Sequence, residues 1–257
     1  QDVGARFYTY ISTLHYVMEA CAENSIPILV LDRPNPNAHY VDGPVLDTAF
    51  KSFVGMHPIP IVHGMTLAEY AQMINGEYWL KDSVQCELYW QGMKNYDHQK
   101  SYNLPIKPSP NLPNSQSIAL YPSLCLFEGT DMSVGRGTSQ QFQVIGSPKL
   151  DSCFYSFTPI SGQGAKYPKH ENKDCCGWDL RDIEVHNQVD LEYLIESYRQ
   201  YEEMDERFFN SFFDKLAGSS QLRIQIESGW TSDQIKQTWK DGLDAFKNKR
   251  QLYLIYP

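Results

Sequence analysis

The chain has 257 residues, 42% hydrophobic and 21% charged, enough for one large domain or a main domain with a smaller one, and for a core that needs no disulfide staple. A formal net charge of −9 without a basic stripe makes a poor nucleic-acid binder, since that binding rests mainly on phosphate neutralisation, but leaves local cations able to hold a small anion. There is no run of about 18 apolar residues, so the sequence predicts no membrane-spanning helix.

Tyr8 to Asn24 places Tyr8, Ile11, Leu14, His15, Met18 and Cys21 at helical spacing and predicts a helix. Ile26 to Leu31 is a continuous apolar run, as in a parallel strand buried on both faces. Helix followed by buried strand points to an α/β fold. The strand runs into Asp32-Arg33-Pro34-Asn35-Pro36-Asn37, a loop where open α/β sheets place ligands. A loop carrying His57 and His63 follows, and then Thr66-Leu67-Ala68-Glu69, a capping box opening a helix from Leu67 to Asn75 that Gly76 ends. Val84 to Trp90 predicts a strand, and Tyr102 to Asn114 a loop rich in Pro and Asn.

Ser117 to Phe127 reads as helix and then strand, ending at Glu128-Gly129-Thr130, followed by a glycine-flexed loop Ser133 to Thr138 and a strand Phe142 to Gly146. The character changes after Ser147, which sets a boundary between 1–147 and a smaller α+β part, 148–257. There, Ser152 to Tyr167 looks irregular or β-like and Cys175 to Leu180 strand-like. Helices are expected over Val189 to Phe209, Ser219 to Ser228 and Asp233 to Phe246, with an apolar strand or extended tail from Leu252 to Tyr256. Cys21, Cys86 and Cys125 look like small core residues, and the oxidation state of the six cysteines is open.

Several chemistries find no motif: no Walker A loop, no G-x-S-x-G elbow, no H-E-x-x-H, and only a lone G-x-G at Gly135-Arg136-Gly137. His57 and His63 with Asp32 make a weak metal set, and none is expected. Loop carboxylates remain. Glycoside hydrolysis classically uses two, one protonating the leaving oxygen and one activating water or attacking carbon. Glu128, after Leu124-Cys125-Leu126-Phe127, is placed to be partly desolvated and so suited to acid work, or else caps a turn or pairs with Arg136. Asp32 has the same ambiguity beside Arg33, and Glu69 is already explained by its cap. Arg33 and Arg136 are able to grip a carboxylate through two parallel hydrogen bonds. Asn35, Asn37, Asn114 and Thr130 suit sugar hydroxyls or turns, and His63 joins them as a binding candidate. The 17 tyrosines and 5 tryptophans suit a sugar site or a Tyr-rich core.

Taken in order, Gln1 to Tyr10, Leu31 to Pro36, Val41-Asp42-Gly43-Pro44, Gly55 to Pro60, His63 to Thr66, Ser109 to Pro113, Phe127 to Thr130 and Ser133 to Thr138 resemble the NamZ-type exo-β-N-acetylmuramidase family, formerly a domain of unknown function. The resemblance covers nearly the whole chain, with Ala38 standing where the family often has glycine. It implies a Rossmann-like larger domain and a smaller C-terminal one. It also implies hydrolysis of terminal β-linked N-acetylmuramic acid from peptidoglycan fragments, no cofactor, and an exported or periplasmic location. Family members carry roughly a hundred further residues before the Gln1-Asp2 motif, including a Glu-His-Gly motif suited to catalysis, so part of the sheet and one carboxylate are expected to lie there. For this substrate, Glu128 becomes the acid/base, Asp32 an orienting or second carboxylate, and Glu69 a weaker third. Arg33 or Arg136 would meet the lactyl carboxylate, and the 2-acetamido group is able to act as an internal nucleophile. A non-catalytic muropeptide-binding protein and a metal-dependent cell-wall amidase using His57 and His63 are the alternatives.

Overall fold

Ile11, His15 and Met18 recur one helical turn apart, and in the computed structural model this stripe is the buried face of helix α1 (Tyr10–Glu23). Residues 1–151 and 153–257 are described, so Ser152, the first residue of the expected irregular stretch, lies outside them. The other elements, in chain order, are β1 (Ile28–Leu31), α2 (Leu67–Gly76), β2 (Leu88–Gln91), α3 (Ser115–Leu124), β3 (Val144–Ser147), β4 (Tyr155–Phe157) and β5 (Cys175–Asp179). The helices α4 (Glu192–Glu203), α5 (Phe213–Ala217), α6 (Gln221–Glu227), α7 (Ser232–Gln237) and α8 (Lys240–Arg250) complete the set. The fold class is mixed α/β with small sheets. No helix among the described residues is long and apolar enough to cross a membrane.

The chain divides into two compact units, residues 1–102 with 238–257, and residues 103–237. This differs from the division expected at Ser147, because Ser147 ends β3 and is paired there with Cys176 of β5.

In the first unit, β1 and β2 pair in parallel, Ile28 with Leu88 through Leu31 with Gln91. Ile11 and Met18 of α1, Val30 of β1, Ala71 and Ile74 of α2, and Phe246 of α8 form one apolar cluster. The expectation of a strand buried on both faces is corrected: Leu29 and Leu31 are 60% and 68% exposed. Side chains alternate across a strand, and only the Ile28–Val30 side meets the helices. Helix α2 opens on the expected capping box: Thr66 Oγ1 accepts from the Glu69 N–H, and Glu69 Oε2 accepts from the Thr66 N–H. Gly76 is the last residue inside α2, and a Cβ there would collide with the ring of Tyr253.

In the second unit, β3, β5 and β4 form an antiparallel sheet in that order, with Val144, Phe157 and Cys175 packed together. Gly177 in β5 is required by the close approach of the Ile145 carbonyl of β3. Cys153 and Cys176 are joined as a disulfide, while Cys86, Cys125 and Cys175 are free and buried.

Three elements differ from expectation for local reasons. The strand expected to end at Phe127 is a 3-10 turn, Cys125–Gly129, continuing directly from α3. The helix expected to reach Phe209 stops at Glu203, and the backbone turns left-handed at Asp205. The helix expected over Asp233 to Phe246 is two helices, α7 and α8, broken at Thr238 and Trp239.

Candidate active site

In the second unit, Asn114 caps α3, its side chain accepting from the Ser117 N–H, and the helix passes into the turn that carries Glu128. Gly129 lets the backbone of Phe213 pack against this turn, since any Cβ would strike it. The following loop turns on Gly135 and Gly137, both at positive φ, and is stitched by Thr138 Oγ1 donating to the Gly135 carbonyl. It brings Arg136 onto Glu128, where Nε donates to Oε1. Burial pulls the Arg136 guanidinium down, but Glu128 outweighs it and holds the group above its ordinary value. Arg136 also lies 5.0 Å over the ring of Phe142.

This pair lines a cavity of about 400 Å³ with Met132, Ser133, Tyr167 and Lys169. Lys169 extends Nζ to the carbonyls of Thr130 at 2.5 Å, Met132 at 2.9 Å and Phe127 at 3.3 Å, pinning the turn around Glu128. Burial lowers its pKa, opposed by Glu128 and Asp131. The expected desolvated carboxylate at a strand end is thus replaced by an ion-paired carboxylate on a 3-10 turn, its side chain 26% exposed. A carboxylate held at the rim of a cavity by a fixed guanidinium is placed to exchange a proton with a bound ligand or a water. Thr130, expected to bind substrate, is buried, its hydroxyl donating to the Phe127 carbonyl and accepting from the Met132 N–H. Asn114 is committed to its cap and to Gln143, 2.9 Å away.

A cavity of about 430 Å³ lies in the first unit, beyond the carboxyl end of β1. Asp32 and Arg33 line it, with Lys94, Tyr96, Lys100 and Tyr102. Burial pushes the Asp32 carboxyl above its ordinary value, against hydrogen bonds from Thr66, Tyr256 and the Ala68 N–H. Its Oδ1 accepts from Ala68 N at 3.1 Å and its Oδ2 from the Tyr256 hydroxyl at 2.8 Å.

The remaining expected site residues of this unit are built into its interior. Asn35 donates to the Met65 carbonyl and accepts from the Asn37 N–H, and Asn37 donates to the Val3 carbonyl. His63 is fully buried, with Nδ1 accepting from the Met65 N–H and Nε2 3.6 Å from Asp2. Both Glu69 oxygens are occupied, Oε1 by the N–H groups of Ile255 and Tyr256 and Oε2 by Thr66 and His98. Burial would raise the Glu69 carboxyl, yet His98 and these bonds hold it below its ordinary value. His57 contacts Tyr70 at 2.9 Å and His15 at 3.0 Å and stacks on Trp79, so its two ring nitrogens are engaged within the protein. No three His, Cys, Asp or Glu side chains converge as a metal site among the described residues. Lys169, Lys94, Lys100, Tyr96 and Tyr102 line these cavities without a motif that points to them. The one available signal was the cluster Lys94, Lys100 and Lys107 in an acidic chain.

A mixed α/β chain with a charged cavity in each of two units is the class of protein these features define. Residues 1–116 match the N-terminal model, and residues 119–256 the C-terminal model, of exo-beta-N-acetylmuramidase NamZ, and the chain belongs to this family. It is 37% identical to the peptidoglycan beta-N-acetylmuramidase NamZ of Bacillus subtilis (strain 168), over all of this chain and 66% of that protein, a little under two thirds of its length. It is also similar to two solved structures of DUF1343 family proteins from Bacteroides fragilis NCTC 9343. One is 52% identical with a TM-score of 0.96, and the other 25% identical with a TM-score of 0.83; each comparison covers all of this chain and 73% of the other.

Proposed function

We propose that the protein takes part in releasing terminal β-linked N-acetylmuramic acid from peptidoglycan fragments by hydrolysis of the glycosidic bond. The observation that carries this is the match of both halves of the chain to the two parts of the exo-beta-N-acetylmuramidase family. In this reading Glu128 is the acid/base: it protonates the leaving oxygen, takes a proton from the incoming water, and Arg136 orients it. Its place on a cavity of about 400 Å³, ample for one sugar ring, supports the assignment. Asp32, whose two oxygens are already engaged, is left to the cavity of the first unit. Glu69 is left to its structural bonds. Water is the one co-reactant the bond cleavage needs. We read the parallel pair β1–β2, packed against α1 and α2, as Rossmann-like, and parallel pairing supports that reading. An exported or periplasmic location is likewise our reading; the Cys153–Cys176 disulfide supports it, because disulfides persist in oxidising compartments.

The test is release of the chromophore from a chromogenic β-N-acetylmuramide by the chain and by Glu128→Gln. Turnover that vanishes in a folded Glu128→Gln supports the assignment. Equal turnover in both proteins removes Glu128 from the chemistry.

A further inference from the structure

The turn that carries Glu128 is held from outside itself. A short 3-10 turn satisfies few of its own carbonyls, so those of Cys125–Gly129 and of the residues after it need other donors. Two distant segments supply them. Lys169 donates to the carbonyls of Phe127, Thr130 and Met132, and His170 Nε2 donates to the carbonyl of Asp131 at 2.5 Å. The stretch before α5 supplies the rest. The Asp131 N–H donates to the Phe208 carbonyl at 2.9 Å, Thr130 and Phe209 form an isolated antiparallel bridge, and the Asn210 N–H donates to the Gly129 carbonyl at 2.9 Å. The Asn210 side chain adds Nδ2, which lies 3.4 Å from the Glu128 carbonyl and 3.5 Å from that of Thr130. Every carbonyl from Phe127 to Met132 thus meets a donor from one of the two segments.

Two roles meet in Asn210. Its Oδ1 accepts from the Phe212 N–H at 2.8 Å, a turn that a serine would close as well. That turn does not call for the amide nitrogen, which reaches instead to the peptides on either side of Gly129. Gly129 is a glycine because the Phe213 backbone occupies the place of a Cβ, and a glycine link is the freest in a chain. The acid therefore stands beside a loose link that Asn210 grips on both sides. We propose that Asn210 is a positioning residue for Glu128, holding the peptide on which the acid stands so that its carboxyl reaches the leaving oxygen. Arg136 fixes the carboxyl end of the same side chain, and Asn210 fixes its backbone end. A misplacement of about 1 Å at such a group costs turnover steeply while the substrate still binds. The inference rests on the hydrolase reading above. Asn210 is exposed, so replacing it opens no void in the core.

The test uses the leaving group. A protein acid matters most when the leaving oxygen is basic, and little for a dinitrophenolate, which departs without a proton. Turnover of an alkyl and of a dinitrophenyl β-N-acetylmuramide is compared in the 257-residue chain, in Asn210→Ser and in Glu128→Gln. The serine keeps the turn at Phe212 and lacks the amide. On the alkyl glycoside Asn210→Ser should lower kcat about tenfold at unchanged KM, and on the dinitrophenyl glycoside by less than about twofold. A merely structural role would lower both alike. Equal losses on the two glycosides, a raised KM with kcat intact, or no loss at all overturns the proposal. Hydrogen exchange gives a reading that needs no turnover. The Asp131 amide, bonded to Phe208, should exchange about tenfold faster in Asn210→Ser, while the amides of β3 and β5 keep their rates. Faster exchange there supports the proposal even in a chain that cleaves neither glycoside, and unchanged exchange overturns it. The two readings fail separately. Full turnover by Glu128→Gln removes the acid and this inference with it. Lost turnover in Glu128→Gln, with none of the expected effects in Asn210→Ser, removes this inference alone.

Discussion

The two cavities hold similar charges in opposite arrangements. In the second unit Arg136 is closed onto Glu128, and Lys169 is turned into the backbone, so the cations serve the protein's own carboxylate and carbonyls. In the first unit the carboxylate is the group that is closed off, by Tyr256 and Ala68, and the cations Arg33, Lys94 and Lys100 line the space. One cavity presents a positioned carboxylate and the other a positioned positive charge. The difference teaches that residue type along a lining says less than which partner each charge already has.

The largest effect expected is on the second cavity. Glu128→Gln keeps a hydrogen-bonding partner for Arg136 but loses the exchangeable proton, and turnover of a β-N-acetylmuramide should fall by about a hundredfold or more. The fold should persist in the same protein, read as an unchanged denaturation midpoint, and a joint loss of turnover and stability would trace the effect to folding and not to the proton. Lys169→Met removes the donor to three carbonyls and should destabilise the fold by about 3 kcal/mol, read as a lower denaturation midpoint. An unchanged midpoint would mean the turn around Glu128 does not depend on that amine.

The interior of the first unit offers a pH test. Burial, helped by His15 and then Lys51, lowers His57 from 6.5 to about 3. Below pH 6.5 the unfolded chain takes up a proton that the folded one refuses, so stability should decline from there towards pH 3. The slope is at most about 1.4 kcal/mol per pH unit, and the contribution is flat above pH 7. Urea denaturation from pH 7 to 5 would read this slope, and His57→Gln should make it shallower; an identical slope would assign it to other groups. The smallest effect belongs to Asn114→Ala, which should cost about 1 kcal/mol of stability through the lost cap while leaving KM unchanged. A raised KM in a stable Asn114→Ala protein would return this residue to the substrate.

What was legible in the sequence was local. The Thr66–Glu69 cap, the glycine-flexed loop around Arg136 and the position of β5 follow from short-range chemistry and are present as expected. Asparagine is the ambiguous residue. Asn35, Asn37 and Asn114 have the chemistry of sugar ligands, but the same amide satisfies backbone groups in turns and caps, and that is where the structure places all three. The apolar run before Glu128 carried no periodicity able to separate a strand from a 3-10 turn, and the exposure of Leu29 and Leu31 depends on what packs against the sheet. Lys169 gave no signal, since its three acceptors lie on a turn some 40 positions earlier in the chain.

The tie between Tyr256 and Asp32 also bears on the order in which the protein is made. Residues 103–237 form a continuous unit, whereas the other unit joins 1–102 to 238–257. During synthesis, at roughly 5–20 residues per second, the continuous unit is free to fold as soon as it clears the ribosome. Asp32, just past the end of β1, must wait for more than two hundred residues before its hydroxyl partner emerges. Until then the cluster awaiting Phe246 remains uncovered to any chaperone.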